Sequence, residues 1–307
     1  MKHIAGFCAA SFAAVVALAS VGDVFSASGV IFETTWDTAA GTAMNAVTDG
    51  GRWPNYWEFN NGTSVQLMSV QPGGPGGHNA LRVQQRGSTY AANVQINDVL
   101  PATTDFYLRY YFKNDDTSGA ADHVVQFDTW ALDNMEFMRK DSAASDWGFV
   151  IGVYGCGYTY PIGYWVPKAR LAHGTWYRIE YFVHYVDPTH LQIHPRVYDA
   201  NGSLLFGDAD FQQSDYGSAT WNGSSTWTLA SYYAGGNGFC VDPNAVVGAG
   251  GHALRNFEVG NNGQQGATDT GLFWYFAAIQ IRSDTWPGPV SGVGAPPAAP
   301  TGLKITG

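Results

Sequence analysis

Apolar and polar residues alternate along most of this chain. Residues 80–86, Ala-Leu-Arg-Val-Gln-Gln-Arg, follow the pattern, and residues 91–97 repeat it. From Phe106 to Lys113 the period is strict: Tyr107, Arg109, Tyr111 and Lys113 fall on one face, and Phe106, Leu108, Tyr110 and Phe112 on the other. Further strand-like segments lie at 123–130, 135–140, 147–154, 176–186, 190–198, 203–206, 227–233, 254–259 and 272–283. Gly, Asp, Asn and Ser clusters separate them. Asn201-Gly202 stands between two of these segments and predicts a hairpin joining 190–198 to 203–206. No stretch reads as a convincing helix and no repeat recurs at a fixed period. A succession of short strands without helical interludes predicts an all-β protein, a two-sheet sandwich or a barrel.

The two ends of the chain break this pattern. Lys2 and His3 precede an apolar, Ala-rich run from Ile4 to Ser20, with Ala17-Leu18-Ala19 and Ser26-Ala27-Ser28 as small-residue cleavage sites. That is the form of a secretory signal peptide, placed at 1–28. The run is short for a spanning helix and no second one follows, so no membrane span is expected. At the other end Pro287, Pro289, Pro296, Pro297 and Pro300 lie among Gly and Ala, and 287–307 reads as an extended tail or linker. One globular domain is therefore expected over 29–286.

Composition narrows the class. Aromatics make up 15% of the 307 residues and charged residues only 13%, which excludes intrinsic disorder. Glu and Lys, both helix formers, are scarce, in agreement with a β fold. A net charge of −10 argues against nucleic acid as a partner. Of the three cysteines, Cys8 lies in the signal and leaves Cys156 and Cys240. In an exported chain this pair reads as a disulfide, which stabilises by about 4 kcal/mol in the chain-entropy model. Two buried free thiols are the alternative.

The order of segments carries a resemblance. Gly174-Thr-Trp-Tyr-Arg-Ile-Glu180 introduces a long strand, and 190–206 follows with Tyr198-Asp-Ala-Asn-Gly-Ser203. The last strand, Phe273 to Arg282, runs into Trp286-Pro-Gly-Pro289. Over roughly residues 30–289 the chain resembles the concanavalin A-like lectin/glucanase superfamily, in particular bacterial exported members related to polysaccharide lyases and laminin G-like domains. The resemblance implies a jelly-roll β-sandwich of two antiparallel sheets with a glycan-holding concave face. It also implies a secreted protein, extracellular or periplasmic, whose partner is a polysaccharide or other glycan.

Fold does not settle function, so the chemistry must be found in the residues. Retaining glycosidases of that fold place two Glu four residues apart on one strand. Glu33, Glu58, Glu136, Glu180 and Glu258 offer no such pair. A polysaccharide lyase needs a group to neutralise a uronate carboxylate, plus a base and an acid. Arg109, between Tyr107 and Tyr111, is the candidate neutraliser. His123 or His194 is the candidate base, with Gln126 beside His123 and a tyrosine such as Tyr111 as acid. His123 and Gln126 have opposite parity, so they share a face only across a bulge. His190, Gln192, His194, Arg196 and Tyr198 form the most polar strand face in the chain, although a polar face is ordinarily just the solvated one. Gln192-Ile193-His194 also matches an element of one alginate lyase family, but the Arg-x-Glu-x-Arg and Tyr-Phe-Lys-Ala-Gly strands that accompany it there are missing here. Arg178 and Glu180 read as a structural ion pair.

Sugar stacking requires only rings, and Trp130, Tyr158, Tyr160 and Trp165 are the candidates, although core packing is the ordinary role of any one tryptophan. Asn114-Asp115-Asp116 is a weak match to a structural calcium site and reads more simply as a turn. No cofactor, no catalytic metal and a monomeric state are expected. The sequence therefore predicts a secreted carbohydrate-active protein, a lyase in preference to a glycosidase if an enzyme. A noncatalytic lectin or adhesion module is the alternative.

Overall fold

The computed structural model describes residues 29–36, 39, 41, 49, 52–59, 68–85, 91–115, 122–127, 134–140, 150–154, 156, 162–165, 171–214, 228–242, 246–247, 251–261 and 272–290. The signal segment, Trp130, Tyr158, Tyr160 and Asp116 lie outside the described residues, as does the tail beyond 290. Of His123, Gln126 and Trp165 only the backbone is described.

In chain order the strands are β1 (Val30–Thr34), β2 (Asn55–Phe59), β3 (Met68–Gln71), β4 (Ala80–Gln85), β5 (Ala91–Ile96), β6 (Phe106–Asn114), β7 (Asp122–Phe127), β8 (Asn134–Lys140), β9 (Val150–Tyr154) and β10 (Ile162–Trp165). They continue with β11 (Trp176–Asp187), β12 (His190–Tyr198), β13 (Leu204–Phe206), β14 (Gln212–Ser214), β15 (Phe239–Cys240), β16 (Val246–Val247), β17 (Gly251–His252), β18 (Phe257–Asn261) and β19 (Leu272–Arg282). A 9-stranded sheet runs β13-β12-β11-β6-β19-β4-β3, with β1 on β19 and β15 on β12. An 8-stranded sheet runs β14-β10-β9-β8-β7-β18-β5-β2. Neighbours pair antiparallel in both, so of the sandwich and the barrel that the alternation allows the chain forms the sandwich, the jelly roll of two antiparallel sheets that the resemblance implies.

The core between the sheets is aromatic. Trp36, Trp53, Trp274, Tyr110, Tyr181, Phe106, Phe112 and Phe211 are its largest fully buried side chains. Trp36 stacks on Trp53 with centroids 5.6 Å apart, and Phe32 meets Trp53 edge-on at 5.0 Å. Each such ring removes roughly 150–250 Å² from water, so much of the aromatic content is structural. The Phe106–Phe112 face of β6 is core, and the Tyr107–Lys113 face points outward.

The predicted hairpin is present. Asp199 Oδ1 accepts from Asn201 N and Ser203 N at 2.9 and 2.8 Å, and Gly202 takes a φ of +83° that suits glycine. The cysteines are joined, Cys156 after β9 to Cys240 in β15, 84 residues apart. The bond thus ties the 8-stranded sheet to the 9-stranded one.

One prediction is corrected. Residues 227–233, read as a strand, contain a helix, α1 (Leu229–Ala234). Thr228 and Ser231 form a reciprocal capping box, each side chain accepting from the other's backbone N–H. The aromatic, β-branched composition masked that local signal. The helix has a use at the sheet edge. β13 and β15 cover the two ends of β12, and between them the Tyr233 hydroxyl donates to Ile193 O and accepts from Ile193 N, both at 2.9 Å. No described helix is long and apolar enough to cross a membrane.

Candidate functional site

Two outward faces carry polar side chains. On the 9-stranded sheet the register lines up Arg196, Glu180, Arg109, Gln280 and Glu33 across β12, β11, β6, β19 and β1. The neighbouring row reads Tyr198, Arg178, Tyr111 and Ala277. These charges are covered rather than solvated: Arg109, Arg178 and Glu180 are 3%, 3% and 2% exposed. The cover is the segment 286–290, which continues the packed chain past the expected boundary at Trp286.

This strap is held at every step. Trp286 sits over Arg196, whose Cζ is 3.7 Å from the ring centroid, and contacts Tyr107 and Phe182 edge-on. Gly288 O accepts from Arg109 Nη1 at 3.1 Å, and the Gly288 backbone lies near enough to the Glu180 carboxylate to favour its charged form. Val290 N donates to the Tyr111 hydroxyl at 3.2 Å. Arg109 Nε also donates to Ala278 O at 3.1 Å. That carbonyl is available because β19 bulges between Ala277 and Gln280, with Ala278 at a φ of +46°. Burial pulls the Arg109 guanidinium below its ordinary pKa while Glu33 and Glu180 pull it back. Burial likewise raises the Glu180 carboxyl against the pull of Arg178, Arg109 and Arg196. Arg178 and Glu180 form the expected structural pair, at 3.3 Å but off hydrogen-bond alignment.

The proposed catalytic set is therefore divided. Arg109 and Tyr111 are tied to the strap. His194 lies on the same sheet, two strands and two residues from Arg109, on the order of 12 Å away between Cα atoms. Its Nδ1 meets Asp208 at 2.7 Å, and its ring stacks on Phe182 and packs against Tyr233. His184 and His190 pair with Asp105 and Asp187 in the same way. His123 and Gln126 belong to the other sheet, so the convergence of Arg109 with His123 expected from sequence does not occur: the aromatic core separates them. At the weak calcium match, Asp115 pairs with Lys113 Nζ at 3.4 Å.

On the 8-stranded sheet, Val94, Phe257 and Val259 face the core, which turns Asn93, Gln95 and Glu258 outward. Glu258 is nevertheless 3% exposed. Its Oε2 accepts long hydrogen bonds from Asn93 Nδ2 at 3.4 Å and Gln95 Nε2 at 3.5 Å. The register sets Gln95 and Gln126 on either side of Glu258, then Glu136 opposite Gln126, then Gly152 and Gly163. His123 stands opposite Arg139, and register shifts fall between His123 and Val125 and between Val125 and Gln126. These irregularities remove the parity objection to His123 and Gln126 sharing a face. Glu258 has no partner carboxylate along its own strand, and this row runs across strands, an arrangement that the spacing of glutamates in the sequence leaves open but does not reveal. The polar phase of 92–96 and 257–260 was the available signal.

No protein-family model and no curated protein matches the chain. Among solved structures, an alginate lyase aligns with 83% of this chain and 97% of its own, at 12% identity and a TM-score of 0.47. The alginate lyase of the mollusc Aplysia kurodai aligns over 83% and 99%, at 10% identity and a TM-score of 0.48. A glucuronan lyase of the fungus Trichoderma reesei aligns over 74% and 94%, at 10% identity and a TM-score of 0.39. Likeness at this level says nothing about what this chain does.

Proposed function

We propose that this chain is a secreted carbohydrate-active protein that works on an extracellular polysaccharide at the outer face of the 8-stranded sheet. The observation that carries this is Glu258, a carboxylate buried on the outward side of a sheet and accepting from the Asn93 and Gln95 amides of the neighbouring strand. Taking a carboxylate out of water costs several kcal/mol. Carboxylates held in such surroundings are characteristic of reactive sites. The Cys156–Cys240 bond and the leader-like N-terminus support export.

The reaction that fits the residues of this face is β-elimination of a uronate polymer. Amides of Asn93, Gln95 and Gln126 would receive the substrate carboxylate and lower the pKa of the adjacent C–H. Glu258, which accepts from the Asn93 and Gln95 amides, would hold them in place. His123 would take the proton as the glycosidic C–O bond breaks and the double bond forms, and the imidazolium would return that proton to the leaving oxygen. A second reading rests on the register: Glu136 and Glu258 stand two strand spacings apart, about 9.5 Å between backbones. Inverting hydrolysis needs two carboxyl groups with room for a water between them, and residues two strands apart leave such room.

Polyuronates and neutral glucans distinguish the readings. Elimination yields an unsaturated, ultraviolet-absorbing end and is lost in His123→Ala. Hydrolysis yields reducing ends without absorbance and is lost in both Glu136→Gln and Glu258→Gln. Binding without turnover identifies a lectin, and neither binding nor turnover overturns the proposal.

A further inference from the structure

Beside the strap, the 9-stranded sheet leaves a cavity of about 620 Å³. Glu33, Arg52, His78, Arg109, Gln280 and Arg282 line it, with Pro287, Pro289 and Val290 closing one wall. The chain carries a net charge of −10, yet three guanidiniums meet here against a single lining carboxylate. We propose that this cavity is a binding site for a short saccharide bearing uronate carboxylates, separate from the face built around Glu258.

The guanidiniums are held from behind. Arg282 Nε and Nη2 each reach Asp284 at 2.8 Å, a bidentate pair that fixes the plane of the fork. Arg52 Nη1 donates to Asp49 O at 3.1 Å and stands 3.8 Å from the buried Asp49 carboxylate. Arg109 is anchored by Ala278 O and Gly288 O. Long cationic side chains fixed by their own scaffold lose little further entropy when an anion arrives.

Glu33 already marks where a carboxylate fits. It accepts from Gln280 Nε2 at 2.9 Å and stands 4.0 Å from Arg109 Nη2, with its side chain 47% exposed. The same Glu33 argues against a bare inorganic anion, which it would repel and which would leave most of the volume empty. A ligand with both carboxylates and hydroxyls matches the set: carboxylates to Arg52 and Arg282, hydroxyls to Glu33 and Gln280, and pyranose C–H faces against Pro287 and Pro289. The volume falls within the roughly 300–1,000 Å³ usual for small-ligand sites.

Calorimetric titration of the full chain with digalacturonate and with its dimethyl ester tests this. The acid should bind at least tenfold more tightly than the ester. Arg52→Glu should weaken the acid at least tenfold; because Arg52 also pairs with the buried Asp49, the melting temperature is read in parallel and the affinity is compared where both proteins are fully folded. Glu258→Gln should leave this affinity unchanged, which separates the cavity from the proposed reaction face. Equal binding of acid and ester overturns the proposal. So does an affinity that Arg52→Glu leaves intact, one that Glu258→Gln abolishes, or no binding at 10 mM digalacturonate.

Discussion

The two sheets turn opposite kinds of polar surface outward. On the 9-stranded sheet nearly every described charge has a partner of opposite sign, a backbone carbonyl or an aromatic ring, and the strap covers Arg109 and Glu180 while Glu33 and Gln280 open onto the cavity beside it. On the 8-stranded sheet the buried Glu258 accepts from the Asn93 and Gln95 amides, within a row that the register continues across strands to Glu136. The first arrangement consolidates a fold. The second sets a carboxylate among amides on an outward face, and it is the one we assign to substrate. A polar strand face, taken by itself, belongs equally well to either kind.

The contrast predicts that variants of the two faces fail differently. Glu258→Gln should lower kcat/KM on a cleaved polysaccharide by about 10²–10³-fold, the usual size for a proton-transfer or charge-stabilising group, with an unchanged denaturation midpoint. If activity survives, the reactive face lies elsewhere. Replacing Cys156 and Cys240 by serine should remove about 4 kcal/mol from unfolding in denaturant. Arg109→Ala should destabilise by about 3 kcal/mol, since it strands Glu180 and unpins Gly288. Activity per folded molecule should stay within about twofold, and a selective loss of activity would return Arg109 to the reactive set. Trp286→Ala should cost about 2 kcal/mol, less than a core tryptophan because the ring is only partly buried, and should raise proteolysis near the C-terminus.

The smallest effect belongs to the turn between β11 and β12. Backbone hydrogen bonding from Thr189, with further help from His190, lowers the Asp187 carboxyl to about 2. A depressed acid stabilises the fold above its unfolded value of 3.8 and loses that contribution as pH falls through about 2. The stability gap between the native chain and Asp187→Asn should therefore shrink as pH falls from 5 to 2 and vanish only below that. A gap that does not shrink over this range would contradict the assignment.

Much of the fold was legible because it is local. The alternation at 106–113, the Asn201-Gly202 turn and the ends of β12 all came through within a residue or two. The capping box at Thr228 was equally local but lay under β-like composition. The site was less legible. Arg109 between two tyrosines reads as an exposed reactive group until Trp286–Val290 is laid over it, and that contact spans 179 residues. Glu258 has no carboxylate within four residues, and its neighbours Asn93 and Gln95 lie more than 160 residues away in sequence.

The sequence by itself determined the strand periods, the two-sheet class, the hairpin and the cysteine pair, because each follows from backbone geometry or from a short pattern along one segment. Only the tertiary structure decided which polar face the strap covers and which glutamate joins an amide pair. It also decided that Arg109 and His123 belong to different sheets. A strand's period of two says that a residue faces outward, but the surroundings of that face are set by strand order and by a distant segment crossing it. Neither is written in the local alternation.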